Sequence, residues 1–248
     1  VGGVQSNHAR ATAAAAAKLG LGCTLIANGS PPDRLTANAL LDSLLGARVE
    51  YIATREERAQ ALRDTAERLR REGRTPYEIP LGASTPVGAL GFVRAVGELA
   101  RQRVAPDVIV HASSSGGTQA GIVAGCMLHG LATRVIGVSA DDPAAELRAR
   151  IRAIISGLGS EVGVDGETLA AAAEIEVDDT FVGDGYGKPT DASREAQTLA
   201  ARKEALFVDH TYTAKALAAL IAYARSGRLG GARTVLFWHT GGQVGLFA

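Results

Sequence analysis

Residues 107–128 read DVIVHASSSGGTQAGIVAGCML, and this stretch decides the fold. Residues 107–112 are apolar on both faces, as a buried strand of a parallel sheet requires, and residues 122–128 continue as an apolar helix. Between them lie Ser113, Ser114, Ser115, Gly116, Gly117, Thr118 and Gln119, a loop between a strand end and a helix N-terminus. Glycines let backbone approach a ligand closely, several N–H groups converge, and the Ser115 and Thr118 hydroxyls add donors, so the loop is built to cradle a phosphate. It is not a Walker loop, because Gly-Lys-Ser/Thr is absent, and Thr118 stands where the dinucleotide fingerprint has its middle glycine. Asp141, roughly twenty residues beyond the loop, keeps a dinucleotide reading open. A plain Ser/Gly turn is the other reading.

Working outward, short β-branched runs at residues 23–27, 48–52, 77–79, 107–112, 134–139, 174–177, 206–208 and 234–239 alternate with alanine- and leucine-rich helical patterns. That alternation predicts an α/β fold of open parallel twisted sheets with helices on both faces. Ser6 caps a helix ending near Gly20, Thr54 with Glu57 makes a capping box for one stopping at Gly73, and Asp142-Pro143 starts another. Pro, Gly, Ala, Ser and Thr cluster at residues 80–86, ahead of a long helical pattern at 87–103. Two domains are expected there: a smaller α/β domain, 1–83, and a larger ligand-binding α/β domain, 84–248.

Composition narrows the function. The chain has 248 residues, with Lys plus Arg and Asp plus Glu each totalling 26, so no net field draws in nucleic acid or an acidic membrane. Cys23 and Cys126 sit in apolar runs and make neither a disulfide scaffold nor a four-ligand zinc site, which points to reduced thiols in the cytoplasm. No apolar stretch is long enough to span a bilayer. No His-x-x-x-His spacing occurs and no Gly-x-Ser-x-Gly elbow follows a strand, which disfavours a metal centre and a Ser-His-Asp hydrolase. The chain opens on Val1 without a signal peptide, and its first element reads as cut into.

Two further loops carry polar chemistry. Gly2-Gly3-Val4-Gln5-Ser6-Asn7-His8 precedes a helix, whose free N–H groups and positive dipole end favour a carboxylate or phosphate. An ordinary serine cap is the competing reading. His239-Thr240-Gly241-Gly242 follows the last strand and forms a second Gly-rich strand end. Between the Gly-rich strand ends lie GDGYG at 183–187 and DHTYT at 209–213, which place Tyr186 and Tyr212 in loops. His111 reads as a satisfied core residue and His129 as a partner for a helix C-terminus.

Taken together, GGVQSNHAR (2–10), SSGGTQAG (114–121), GYGKP (185–189), YTAKAL (212–217) and FWHTGG (237–242) resemble one family in order and spacing. It is that of the pyridoxal-phosphate enzymes of the tryptophan-synthase-β fold type, in the branch of D-cysteine desulfhydrase and 1-aminocyclopropane-1-carboxylate deaminase. The resemblance implies that Ser115, Gly116, Gly117 and Thr118 hold the phosphate of pyridoxal 5'-phosphate. It implies that Asn7 bonds the ring oxygen, that Thr240 lies near the pyridine nitrogen, and that Ser6, Asn7 and His8 meet the substrate carboxylate. Ser6, Tyr186 and Tyr212 become the catalytic candidates, and the partners are a small amino-acid substrate and a second copy in a homodimer. The deaminases carry Glu directly after the tyrosine, where this chain has Thr213, so a desulfhydrase-like β-elimination giving pyruvate and ammonia is expected, with the deaminase as alternative. Relatives read Asp-Pro-Val-Tyr where this chain has Asp209-His210-Thr211-Tyr212, which implies a different pocket wall. Relatives anchor the cofactor through a lysine in a Gly-Asn-Lys motif upstream of the segment matching residues 2–10. These 248 residues hold only Lys18, Lys188, Lys203 and Lys215. An N-terminally shortened lyase, a non-catalytic phosphate-binding protein and a nucleotide-binding oxidoreductase are thus the three readings.

Overall fold

A computed structural model describes residues 1–248 and divides them into two units, 1–83 with 244–248, and 84–243. The first unit is a three-stranded parallel sheet of β1 (Gly2–Gly3), β2 (Thr24–Asn28) and β3 (Arg48–Ile52), in that order. Helices α1 (Asn7–Lys18), α2 (Ala37–Leu44) and α3 (Arg58–Arg71) alternate with the strands. Ser6 caps α1, its Oγ accepting the Ala9 N–H at 3.1 Å. Gly2 permits this, because a Cβ there would lie 2.7 Å from Ser6 Oγ.

The second unit is a four-stranded parallel sheet ordered β6-β5-β4-β7, from β4 (Val108–Ser113), β5 (Arg134–Ser139), β6 (Glu176–Asp178) and β7 (Val235–Trp238). Its helices are α4 (Pro86–Arg101), α5 (Gly117–Leu128), α6 (Ala144–Val162), α7 (Gly166–Ala172), α8 (Asp191–Glu204) and α9 (Thr213–Ser226). Side chains of β4 alternate faces. Ile109 joins α4, α5 and α6 in one core, while Val108, Val110 and Ala112 meet Ala216, Ala219 and Tyr223 of α9 in another. Both faces of the sheet are therefore covered, which is why β4 and β5 read as continuous apolar runs. No helix is long and apolar enough to cross a membrane.

Several local expectations need correction. Residues 77–79 and 206–208 form no strand: Tyr77 and Phe207 are exposed, and the carbonyls of Phe207 and Val208 bond the side chains of His239 and Gln197 instead of a ladder. Glu57 does bond Thr54, at N and at Oγ1, but α3 starts at Arg58, after both. Asp142 leaves α6 uncapped because it pairs with Arg150, and the first amide of α6, that of Ala144, is satisfied by Asp179 at 2.7 Å. The last five residues group with the first unit and not with 84–243; beyond β7, Gly241 (φ 89) and Gly242 (φ 95) are left-handed.

Candidate cofactor and substrate site

In the first unit, α1 presents its N-terminus with Ser6, Asn7 and His8 around it, and no acidic residue lies in its first turn. The Asn7 and His8 amides have no acceptor within the helix. Ser6 Oγ spends a lone pair on Ala9 N–H and keeps its hydroxyl hydrogen for a ligand. Asn7 is oriented by Asn38, which sequence reasoning missed: Asn38 Nδ2 donates to Asn7 Oδ1 at 2.8 Å and to the Gln5 carbonyl at 3.0 Å. Asn38 is fully buried, and Gln5 Oε1 accepts its backbone N–H at 2.9 Å. With Asn7 Oδ1 engaged, its amide NH2 is the group left for an acceptor such as a ring oxygen. Burial lowers the His8 pKa to about 4, so its imidazole is neutral near pH 7.

In the second unit, β4 hands its chain to Ser114, Ser115 and Gly116, and α5 begins at Gly117 without a side-chain cap or an acid in its first turn. Gly116 is left-handed at φ 93, and a Cβ on it would lie 3.1 Å from Ile151. A Cβ on Gly117 would lie 2.8 Å from Ser84 Oγ and 3.0 Å from its Cα. Both glycines are thus structurally required. Ser84, another residue the sequence did not flag, donates from Oγ to Ser115 Oγ at 2.6 Å and accepts the Gly117 N–H at 3.1 Å. Arg150 pins the loop by donating to the Ser114 carbonyl at 3.0 Å. The strand register pairs His111 with Trp238, so Thr240 leaves β7 at the same carboxyl end of the sheet as Ser115–Thr118 leave β4. His111 is buried, donates Nδ1–H to the Ala112 carbonyl and leaves Nε2 without a partner; burial lowers its pKa to about 4.

Tyr186 and Tyr212 come together in this unit, hydroxyl to hydroxyl, with ring centroids 5.7 Å apart and planes at 74°. Burial, then the neighbouring Tyr186, pushes the Tyr212 pKa up, so it is a phenol and not a phenolate at neutral pH. Tyr212 is fixed by Asp209, whose Oδ2 accepts the N–H of Thr211 and Tyr212 and whose Oδ1 accepts the N–H and hydroxyl of Thr213. The four lysines separate clearly: Lys18, Lys188 and Lys203 are exposed, and Lys215 is buried.

A glycine-dependent loop with several hydroxyls, between a central parallel strand and a helix N-terminus, is the kind of place where α/β proteins take a phosphate. The chain belongs to the pyridoxal-phosphate dependent enzyme family, whose model matches residues 1–241. The serine and threonine hydroxyls and the close-approach glycines of residues 115–118 are of a kind that suits that cofactor's phosphate. A putative 1-aminocyclopropane-1-carboxylate deaminase of Pyrococcus furiosus is 37% identical, covering 100% of this chain and 74% of that protein. D-cysteine desulfhydrase of Salmonella newport is 35% identical, over 100% of this chain and 76% of that protein. Among solved structures, an ACC deaminase homologue superposes with TM-score 0.89 at 36% identity, covering 99% of this chain and 73% of that one. Threonine deaminase isoform 2 of Solanum lycopersicum, at TM-score 0.63 and 17% identity, covering 96% of this chain and 63% of that one, shares the fold.

Proposed function

We propose that the chain acts as a lyase that removes a β-sulfur group from a small amino acid, D-cysteine or a close analogue, with water, to give pyruvate, ammonia and hydrogen sulfide. The observation that carries this reading is the Tyr186–Tyr212 hydroxyl pair followed by Thr213, whose own hydroxyl is locked onto Asp209 at 2.7 Å. No carboxylate follows the tyrosine to serve as a second acid or base.

In this reading Ser115, Gly116, Gly117 and Thr118 bind the phosphate, and Asn7 donates its amide to the ring oxygen. Thr240 offers a hydroxyl to the pyridine nitrogen; unlike a carboxylate, it does not favour a protonated ring. Bound pyridoxal phosphate supplies the electron sink for a carbanion at the substrate α-carbon. Ser6 and the amides of Asn7 and His8 take the substrate carboxylate, an anion suited to a helix N-terminus. Tyr212, kept a phenol by burial, would offer its hydroxyl as a hydrogen-bond donor to the departing sulfur, with the Tyr186 hydroxyl beside it.

A second reading, reversible cofactor binding without turnover, draws on the lysines: three are exposed, and the Lys215 ammonium is held by backbone carbonyls. Incubating the chain with pyridoxal phosphate and D-cysteine separates the two. Equal yields of sulfide and pyruvate support the lyase. A cofactor absorbance change that borohydride does not make permanent, with no sulfide, supports the second reading. Release of 2-oxobutanoate from the cyclopropane amino acid in preference to sulfide from D-cysteine overturns the substrate choice.

A further inference from the structure

Lys215 is the one cation sealed inside the second unit, at 1% exposure. Its Nζ donates to the carbonyls of Val182 at 2.7 Å, Gly185 at 2.9 Å and Ala140 at 3.5 Å. An ammonium has three N–H donors and no lone pair, so these three acceptors use it completely. Burial lowers the Lys215 pKa, while the charges of Asp141 and Asp209 act to raise it and so help to compensate the buried cation. Such a group cannot serve as a free amine; its chemistry is that of a tether.

What it tethers is specific. Residues 182–185 lead directly into Tyr186, form no helix or strand, and hold left-handed glycines at Gly183 (φ 66) and Gly185 (φ 123), with Gly187 (φ 74) just beyond. A segment of this composition has the most conformational freedom to lose and so needs an external anchor. Lys215 itself lies in the first turn of α9, directly behind Tyr212, which stands at the N-cap position of that helix. One side chain therefore joins the two stretches of backbone that bring the tyrosine hydroxyls together.

We propose that Lys215 is the positioning residue of the tyrosine pair: by gathering the Val182 and Gly185 carbonyls onto α9 it fixes Tyr186 against Tyr212. The proposal rests on the reading of that pair as the proton-handling groups, and its geometric part can be tested without cofactor or turnover. In the full chain, Lys215→Met keeps the length of the side chain and removes its donors and charge. The ring-to-ring nuclear Overhauser contact between Tyr186 and Tyr212 is expected to vanish. The Phe181–Tyr223 contact, 6.1 Å between centroids, persists and shows that α9 is still docked. Amide exchange at residues 183–187 is expected to rise at least about 10-fold, since the loop then opens locally. An unchanged Tyr186–Tyr212 contact in folded Lys215→Met overturns the proposal. If that variant does not fold, the wild-type chain decides: scalar coupling from Lys215 Nζ to the Val182 and Gly185 carbonyl carbons supports the tether, and its absence refutes it. Where sulfide release is measurable, Lys215→Met is expected to lower kcat about 10- to 100-fold with KM nearly unchanged, matching Tyr212→Phe. A raised KM at unchanged kcat contradicts the positioning role. Failure of sulfide release in the wild-type chain counts against the lyase reading and leaves the contact measurements standing.

Discussion

Replacing Asn38 by alanine is expected to open the first unit and disorient Asn7 together. Asn38 is fully buried and its side chain makes three bonds, to Gln5 O at 3.0 Å, Asn7 Oδ1 at 2.8 Å and Arg10 Nε at 3.3 Å. Alanine removes the donor that the Gln5 carbonyl and Asn7 Oδ1 share. Each lost bond contributes about 1 kcal/mol net, so the loss of three should cost the variant about 2–4 kcal/mol. Native-state hydrogen exchange at the β2 amides of Leu25, Ile26 and Ala27 reads that loss directly, as exchange faster by about 30- to 700-fold. Asn38→Asp provides the control. It keeps the size but turns a carboxylate oxygen toward two acceptors, so it should be at least as damaging at pH 7 and should recover as acid protonates it. Exchange within about 2-fold of the parent in Asn38→Ala, equivalent to under about 0.5 kcal/mol, would refute the claim that Asn38 holds Asn7 in place.

Three further outcomes follow from the structure. Asp42 borders a cavity of about 170 Å³, has a buried Oδ1 without a partner, and is raised by burial to about 6 from 3.8. Its folded form binds the proton more tightly, so first-unit stability should fall as pH rises from about 4 to about 6 and be flat above, a slope that Asp42→Asn removes in urea titrations. Asp178 is the opposite case: burial acts to raise its pKa, but bonds from Thr180, Tyr223 and Arg228 hold it at about 2. Its contribution is complete above 3.8 and lost as pH falls toward about 2, and Tyr223→Phe should cost about 1–3 kcal/mol of unfolding free energy and move acid denaturation to higher pH. Gly117→Ala sets a Cβ 2.8 Å from Ser84 Oγ, and the resulting shift of the cradle should weaken pyridoxal-phosphate binding at least about 10-fold while circular dichroism is unchanged.

What could be read in the sequence was local. The bounds of β3 and β5, the Ser6 cap and the loop from β4 into α5 depend on residues within a few positions of one another, and period and composition report them. The misses depend on distant partners. Asn7 is oriented by a residue 31 positions away, the first amide of α6 by Asp179, 35 away, and Lys215 meets a carbonyl 75 positions away. Residues 77–79 and 206–208 have strand-like composition, but no neighbouring strand presents a ladder to them. Lys215 did leave a trace: a lone lysine within the alanine- and leucine-rich start of α9 is a buried-cation signal, and its partners alone required the fold.

The central claim is that the loop from Ser115 to Thr118 grips the phosphate of the cofactor. Titrating pyridoxal phosphate into the isotope-labelled chain and following the amides of Gly116, Gly117 and Thr118 addresses it most directly. Large, saturable shifts at these three are the predicted result, with those of Gly116 and Thr118 needing at least about 10-fold more cofactor in Gly117→Ala. Saturable binding that leaves them unmoved while shifting amides elsewhere would contradict it.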